Sequence, residues 1–415
     1  MQRILSTQLA TTEPGTKVTI AGWIHRRRLL KSVAFLIVRD AAGLSQVVVT
    51  DPATREQLER LTEETVVEVT AVVTTNEQAP QGVELTSPEI QETSRVAVPL
   101  PFELHRPALS ASLPTQLDHA ALALRHPSRA ANLRISAAVT RGFRRALEEQ
   151  RFVEIHTPKI VASATESGAN VFELDYFGRP AYLAQSPQFF KQMMVGVFER
   201  VFEVGPVFRA EPSDTARHLA QYTSLDAEMG FIRDHRDVMA ALTRTIAGML
   251  GEVTGMVETP GVPDEIPAVH FAEALRIAGA PEDEPDLAPA HERAVGEWAL
   301  REHGSAFVFV TGYPMRKRPF YTHPDPADPT WSNSFDLLFR GLEIVTGGQR
   351  LHRYEDYAAV LGEEGEPGYL DAFRYGMPAH GGWAIGLERF VARLTGAANV
   401  REVTAFPRDL HRVAP

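Results

Sequence analysis

The sequence predicts an α+β protein in two parts: a small N-terminal β-barrel and a larger C-terminal domain that mixes strands and helices. Three observations carry this. The first hundred residues hold five short runs rich in Val, Ile and Thr, and a Pro-studded stretch follows. From residue 129 onward, strand-like runs (Arg200–Val204, Ala306–Val310, Leu337–Val345) alternate with helical ones (Arg236–Thr254, Leu387–Thr395). With 415 residues, 44% apolar and 23% charged, the chain is long enough for two or three domains and is not generally disordered.

The barrel strands read as Val18–Ile24, Ala34–Asp40, Leu44–Thr50, Thr65–Thr75 and Val83–Ile90. Ala41-Ala42-Gly43 is a tight link between the second and third, and a polar helix, Pro52–Leu61, separates the third from the fourth. Five strands with a helix in that place fit an OB-fold, and a small barrel without a ligand fits the pattern equally well. This domain is assigned residues 1–100. A hinge, 101–128, carries Pro101, Pro107 and Pro114, which favour extended backbone. The second domain, 129–415, opens with a helix over Arg129–Gln150, with Ser128 as its N-cap and Leu133, Ala137, Thr140, Phe143 and Leu147 at helical spacing. Glu258–Pro289, rich in Pro and acid, reads as a solvated surface excursion.

Composition excludes several chemistries. The chain has no cysteine, so disulfides, thiolate metal sites and Cys nucleophiles are out. The net charge of −11, from 42 basic and 53 acidic residues, argues against coating nucleic acid by bulk charge but leaves room for a local basic patch. His25-Arg26-Arg27-Arg28 with Lys31 is the most basic stretch of the barrel, placed in the first inter-strand connection near Phe35. A solvated hairpin explains it as well as phosphate contacts do. No uncharged stretch is long enough to span a bilayer, and Met1–Ala10 has no apolar signal-peptide core. A cytoplasmic protein with no membrane partner is expected.

Three segments carry candidate chemistry. Phe152–Ile160 is an apolar run that contains Pro158. Val204–Glu211 delivers Arg209 and Glu211 at a strand end, followed by Arg217-His218 and by Asp226-Ala227-Glu228. An Arg fixed on a strand is preorganised to grip a phosphoryl group, although an isolated Arg–Glu pair is more often surface decoration. Gly381–Phe390 runs from a strand through Gly386 into a helix that opens Leu387-Glu388-Arg389; Gly386 permits close approach of a flat ligand. It is neither a P-loop nor a dinucleotide fingerprint.

Together these segments resemble motifs 1, 2 and 3 of the class II aminoacyl-tRNA synthetases. Phe208-Arg209-Ala210-Glu211, Arg217-His218, Gly386–Arg389 and the ending Phe406–Pro415 are most similar to the archaeal-type aspartyl-tRNA synthetases, and the resemblance covers essentially the whole chain. It implies an OB-fold anticodon-binding barrel and a catalytic domain with an antiparallel sheet flanked by helices. It implies ATP as substrate, Mg²⁺ as cofactor, L-aspartate as amino acid, tRNA(Asp) as acceptor and a homodimer built around Phe152–Ile160. Arg209, Glu211 and Arg389 would be catalytic. ATP would meet Arg209, Ala210, Glu211, Arg217, His218, Leu219, Glu343, Gly386, Leu387, Glu388 and Arg389. Aspartate would meet Glu166, Gln188, Lys191, Arg209, Thr346 and Arg350, with Lys191 and Arg350 as two cations on its side-chain carboxylate.

Mg²⁺ would be held by Asp336, Glu343 and Thr346. Asp336 and Glu343 are seven residues apart, so an unbroken strand would put them on opposite faces, and a bulge or turn at Gly341 would reunite them. Thr346 stands where relatives often have Ser, and Gln221 where many have Glu. Asparaginyl-tRNA synthetases share the same body, but a pocket with two cations suits a carboxylate better than an amide. A paralogue that has lost charging is the other alternative, and the presence of Arg209, Glu343 and Arg389 argues against it. In the barrel, His25, Arg26, Phe35 and Pro80 would read the anticodon. His25 and Pro80 occupy places where stricter relatives have Trp and Lys, which implies relaxed charging of tRNA(Asn) as well and, with it, a downstream tRNA-dependent amidotransferase.

Overall fold

In a computed structural model, which describes residues 3–163, 170–362 and 368–414, the chain divides into two compact units, Met1–His119 and Ala120–Pro415. The division falls inside the stretch that the sequence assigned to a hinge. That stretch is not extended throughout: it holds short helices at Leu113–Asp118 and Ala120–Ala123, the first capped by Ser112.

In the first unit, β1 (Lys17–Leu29), β2 (Ala34–Arg39), β3 (Leu44–Val49), β4 (Val66–Thr75) and β5 (Val83–Ser94) close into a barrel in the order β1-β2-β3-β5-β4. Alternate side chains fill it, among them Val18, Ile20, Leu36, Val47, Val67 and Val69. The helix Pro52–Arg60 begins where Asp51 accepts a hydrogen bond from the Thr54 N–H, and its Leu58 joins the barrel core. β1 is longer than expected. A bulge between Ile24 and Arg26 lets it continue, pairing Arg26, Arg27 and Arg28 with Ile37, Leu36 and Phe35. The basic cluster therefore lies on a strand, and of its members only Lys31 sits in the connection to β2.

The second unit contains β6 (Val153–Glu154), β7 (Ile160–Val161), β8 (Glu173–Tyr176), β9 (Arg179–Leu183), β10 (Arg200–Phe208), β11 (Gln221–Gly230), β12 (Ala268–His270), β13 (Phe307–Thr311), β14 (Ser334–Phe339), β15 (Glu343–Gln349) and β16 (His380–Gly386). Eight of them form one sheet in the order β12-β13-β14-β15-β16-β11-β10-β6. Its six inner strands are antiparallel, as expected, whereas β12 and β6 add to the two edges in parallel. The remaining strands form a small sheet, β7-β9-β8. Phe152–Ile160 is thus two short strands in different sheets, with Pro158 between them. The run Leu337–Val345 is a hairpin: Arg340 and Gly341, both at positive φ, turn β14 into β15.

One face of the large sheet is covered by the helices Pro127–Glu149, His235–Glu252 and Leu387–Thr395. Phe143, Leu242, Ile246, Trp383, Ile385 and Phe390 form part of the core between them. The first of these helices starts two residues before the expected Arg129, because Pro127 is favoured at a first helical position and His126 serves as the N-cap. The segment read as a surface excursion is partly core. Within it Phe271, Ala274 and Leu275 fall at helical spacing and pack against Val295, Ala299 and Val308. Average polarity concealed that apolar stripe.

Candidate active site

Strand alternation splits β11 in two. Leu225, Ala227 and Met229 enter the core, while Ser224, Asp226 and Glu228 point to the opposite face, where the helix Gln188–Phe198 packs over them. On that face Asp226 lies opposite Ala384, Glu228 opposite Gly382, and Ser224 opposite Gly386. Ala384 in turn lies opposite Thr346, and Thr346 opposite Asp336. Acidic side chains therefore rise from a floor of Gly and Ala. Gly382 has to be glycine, because a Cβ there would run into the Ala227 carbonyl and the Glu228 carboxylate.

Two cations meet these acids. Lys191, on the helix Gln188–Phe198, donates to Asp226 Oδ1 at 3.0 Å and to the Trp383 carbonyl at 3.2 Å, and lies 3.5 Å from Glu228 Oε2. Arg350, just past β15, donates to Glu228 Oε1 at 3.0 Å and to the Gly382 carbonyl at 3.1 Å. Ser224 Oγ donates to Asp226 Oδ2 at 2.5 Å. Burial pushes the Glu228 carboxyl up, but Arg350 and Lys191 outweigh it and hold the group below the usual carboxylate range. Nearby, Arg318 lies 3.9 Å over the Tyr313 ring and donates to Asp336 Oδ1 at 3.1 Å. Burial lifts Asp336 to about 6 against the pull of Arg318, and Glu343 adds repulsion.

These groups surround two connected cavities. The smaller, about 170 Å³, is walled by Gln185, Gln188, Lys191, Arg318, Tyr321 and Arg350 among others. Gln188 Nε2 is buried there without a hydrogen-bond partner among the described residues. The larger, about 360 Å³, is walled by Glu211, Arg217, His218, Glu343, Gly386 and Arg389 among others. Arg209, Tyr222, Ser224, Thr346 and Ala384 belong to both. Arg209 stands at the junction, its guanidinium 5.8 Å from the Tyr222 ring. Burial, then Arg389, Arg217 and Arg209, depress the His218 pKa, so this imidazole is neutral at pH 7. Arg389 donates to the Glu343 carbonyl at 3.4 Å, and Thr346 Oγ1 donates to Glu343 Oε1 at 3.2 Å. The arrangement suits a small charged molecule in one chamber and a polyanion in the other, meeting at Arg209.

Residues 112–410 match the family model of class II tRNA synthetases (D, K and N), and residues 18–93 match that of the OB-fold nucleic acid binding domain. The chain belongs to the class II aminoacyl-tRNA synthetases. This synthetase is 44% identical over 419 residues to the aspartate–tRNA(Asp/Asn) ligase of Thermus thermophilus, covering 97% of each chain. It is 42% identical over 438 residues to the ligase of the same name from Deinococcus radiodurans, covering 100% of this chain and 99% of that one. Its fold matches asparaginyl-tRNA synthetase from Pyrococcus horikoshii complexed with asparaginyl-adenylate, with a TM-score of 0.91 and 29% identity over the whole of both chains.

Most residues expected from the sequence line the synthetase's two cavities. Glu211, Arg217, His218, Leu219, Glu343, Gly386, Glu388 and Arg389 are in the larger, Gln188, Lys191 and Arg350 in the smaller, and Arg209 and Thr346 in both. Three expected residues are not in either wall. Leu387 is buried in the core, since the first turn of its helix presents its apolar side there. Ala210 donates its backbone N–H to the Asn170 carbonyl at 3.3 Å. Asp336 is buried behind Arg318. Glu166 lies outside the described residues. Glu388 reaches the larger cavity, but both its carboxylate oxygens accept from the Thr223 N–H at 3.1 Å, so it also braces β11. Lys191 and Arg350 are not bare cations, because Asp226 and Glu228 already hold them.

Several site residues escaped the sequence reading. Ser224-Leu225-Asp226-Ala227-Glu228 alternates polar and apolar, the signal of a strand with one polar face. Arg318 and Glu292 gave no local signal. Glu292 is buried on the helix Pro289–His303 and accepts from the Glu343 N–H at 2.8 Å.

In the barrel, Arg26 and Arg28 are exposed on the outer face, with half-buried Phe35 directly opposite Arg28. Arg27 instead binds Glu63 at 3.1 Å and the Leu58 carbonyl at 3.2 Å. His25 sits in the bulge, buried, with Nδ1 3.3 Å from Arg39. The Arg39 guanidinium forks onto Glu64 at 2.7 and 2.9 Å. His25 is therefore not an open base-contacting side chain. Pro80 begins the Pro80–Gly82 turn between β4 and β5. Among the described residues no helix is long and apolar enough to cross a membrane, and no three His, Asp or Glu cluster as a metal site.

Proposed function

We propose that this synthetase attaches L-aspartate to tRNA(Asp), and also to tRNA(Asn), through an aspartyl-adenylate. The observation that carries the reading is the pair Lys191 and Arg350, buried at the base of the smaller cavity. The charge balance supports it. Lys191, Arg209, Arg318 and Arg350 supply four positive charges to that wall, and Asp226, Glu228 and Asp336 stand against them. Among the described residues one positive charge is left over when all three carboxyls are ionised. Aspartate, with two carboxylates and one ammonium, carries one net negative charge; asparagine carries none. A buried net charge is costly unless it is matched, so the pocket favours the anionic amino acid.

In the reaction the aspartate α-carboxylate attacks the α-phosphorus of ATP, and pyrophosphate leaves. A ribose hydroxyl of the tRNA's terminal adenosine then attacks the aspartyl carbonyl of the adenylate; the anhydride bond breaks, AMP leaves, and the hydroxyl's proton goes to the departing phosphate or solvent. No protein nucleophile is needed. Arg209, shared by both cavities, stands where carboxylate and phosphate must meet, and it stabilises charge that shifts there in the transition state. Arg217 and Arg389 face the outer phosphates with neutral His218 as a hydrogen-bonding partner, and Glu211 shares that wall.

Mg²⁺ would be held by the Glu343 carboxylate and the Thr346 hydroxyl, with the Asp336 carboxylate behind them. These hard oxygen donors fit an ion that binds through one or two carboxylates and the substrate's phosphates, so a three-carboxylate cage is not required. When bound, it neutralises phosphate charge.

The barrel would read the anticodon through Arg26, Arg28 and Phe35. His25 and Pro80, in place of the bulkier and charged residues of stricter relatives, favour relaxed charging. Aspartyl-tRNA(Asn) must be amidated before use, so an amidotransferase partner follows from the reading, as does a cytoplasmic location beside the tRNA pool. A second copy would pair through the motif 1 segment, where Val153 and Ile160 are exposed. The test is aspartate-dependent ATP–pyrophosphate exchange compared with asparagine, followed by charging of the two purified tRNAs. Equal exchange with asparagine would move the reading to the asparaginyl branch.

A further inference from the structure

A third cavity, about 550 Å³, adjoins the larger one, and Arg217, Arg389 and Val400 belong to both. Its other walls bring in Arg293 from the helix Pro289–His303 and Arg393 from the helix Leu387–Thr395, between small residues such as Gly396 and Ala397. Four guanidinium groups and no carboxylate line it, in a chain of net charge −11.

Backbone packing builds this cluster. A Cβ on Gly296 would come within 2.6 Å of the Gly341 backbone, and one on Gly341 within 2.9 Å of the Arg293 Cα. Helix and hairpin turn are therefore in direct main-chain contact, which fixes Arg293 beside that turn. Arg393 reaches the same turn from the other helix, donating to the Phe339 carbonyl at 3.3 Å and to the Arg340 carbonyl. Arg293 has no hydrogen-bond or ion-pair partner among the described residues. On its own helix Glu297 stands one turn further on, and the acid adjacent in sequence is Glu292. It is buried and already accepts from the Glu343 N–H, with Arg217 3.9 Å away. Burial, then repulsion from Arg340, pushes the Arg393 pKa down, as expected where cations crowd together.

We propose that this cavity is an exit site for inorganic pyrophosphate, which moves from the outer-phosphate position of the nucleotide cavity into the arginine-lined chamber before release. A compact polyanion is the ligand that four guanidinium donors recognise best, through paired N–H contacts to phosphate oxygens. Because Arg217 and Arg389 line both chambers, pyrophosphate can pass between them without losing contact with arginine. The inference rests on the adenylate-forming reading above.

The test uses Arg293→Gln, Arg293→Glu and Arg293→Lys in the full chain, at an exposed helix position where loss of folding is not expected. In aspartate-dependent exchange, the pyrophosphate KM should rise about three- to tenfold for Gln, the range for one partly exposed charge-assisted contact. It should rise further for Glu and return toward wild type for Lys, while the ATP KM moves less. Calorimetric titration with inorganic pyrophosphate should show the same order of affinity. An unchanged pyrophosphate KM in the Gln and Glu variants would overturn the proposal. So would equal shifts in the KM values for ATP and pyrophosphate, which would put Arg293 in the nucleotide site. A higher tRNA KM with pyrophosphate unaffected would assign the cavity to RNA phosphates and overturn it as well. If wild type performs no aspartate-dependent exchange, the function reading has failed, and the titration alone then decides whether the cavity binds pyrophosphate.

Discussion

Lys191 and Asp226 meet at 3.0 Å with both side chains only 2% exposed, so each is the other's main compensation for burial. Lys191→Met leaves Asp226 charged and unpaired, at an expected cost of about 3–5 kcal/mol in stability. It should also abolish aspartate-dependent exchange. Adding Asp226→Asn removes the stranded charge, so the double variant should regain most of the melting temperature without regaining aspartate activation. Thermal unfolding and the aspartate KM check the two halves separately. A single variant with wild-type values in both would show that the pair matters to neither.

Arg209 is shared by the two cavities, and that position fixes the kind of defect its loss should cause. Arg209→Ala should lower kcat for adenylate formation by ~10²–10³, the scale for losing one preorganised donor to developing charge. The aspartate KM should change much less. Single-turnover adenylate formation separates the two effects, and a pure KM effect would mean that Arg209 binds ground state and transition state alike.

His380, fully buried on β16, lies 2.9 Å from the Pro378 carbonyl through Nδ1 and 3.0 Å from Gln192 Nε2 through Nε2. The hydrogen-bond network assigns the proton to Nδ1, leaving Nε2 to accept from the Gln192 amide. Burial drives its pKa from 6.5 down to about 4. Between those values the unfolded chain binds a proton that the folded chain does not, so His380 makes stability fall as pH drops. The total is about 3 kcal/mol at ~1.4 kcal/mol per pKa unit. Asp336, raised from 3.8 to about 6, acts in the opposite sense: its contribution is present at low pH and is lost as pH rises through about 6. His380→Gln should therefore remove a positive slope of stability against pH between pH 4 and 6.5, and Asp336→Asn a negative one. Urea unfolding across that range measures both, and parallel curves for all three proteins would contradict the assignment.

What the sequence revealed and what it hid divide along a physical line. Local patterns were readable: the Val-rich barrel strands, the helix Leu387–Thr395, and the strand-borne Arg209. Contacts made across the fold were not. The alternation around Asp226 says that this side chain shares a face with Glu228, but not that Lys191, 35 residues away, lies against both. Glu292 lies 51 residues before Glu343 and carries no motif, yet it receives the Glu343 N–H. Gly341, by contrast, marked a bulge or turn in the run Leu337–Val345, and the structure has the turn there; what the sequence left open was the register that sets Asp336 opposite Thr346.

The motif 1 segment leads to the next expectation. Val153, on an edge strand, and Ile160, in the small sheet, are 40% and 47% exposed and offer an apolar surface that a partner could cover. A two-fold homodimer is the commonest way to cover them. Light scattering of the wild type should give twice the mass of one chain. Val153→Asp with Ile160→Asp should shift it toward a single chain and reduce activity in parallel. A monomeric, fully active wild type would contradict this.

The last expectation concerns the barrel, where the arginines and His25 should fail in different ways. Arg26 and Arg28 are exposed on the face that carries Phe35, so Arg26→Ala and Arg28→Ala should weaken both tRNAs alike. Each should reduce the salt dependence of binding by about one phosphate contact. His25 is buried in the bulge against the Arg39–Glu64 ion pair, and Arg39 overlies the Trp23 ring at 5.7 Å. Arg39 and Trp23 give His25 an indirect route by which it can influence the anticodon. Wild type should charge tRNA(Asp) and tRNA(Asn). His25→Trp forces a larger ring into a filled site, at about 1–3 kcal/mol of overpacking, and should displace Arg39. Pro80→Lys adds a cation to the turn between β4 and β5. The double variant should lose tRNA(Asn) charging and keep tRNA(Asp), a gap that needs only ~1–3 kcal/mol at one base, on the scale of protein–DNA mismatches. Charging assays with both tRNAs over a salt series distinguish the two behaviours. Equal loss of both tRNAs in the double variant would make His25 a support for the barrel rather than a determinant of which tRNA it accepts.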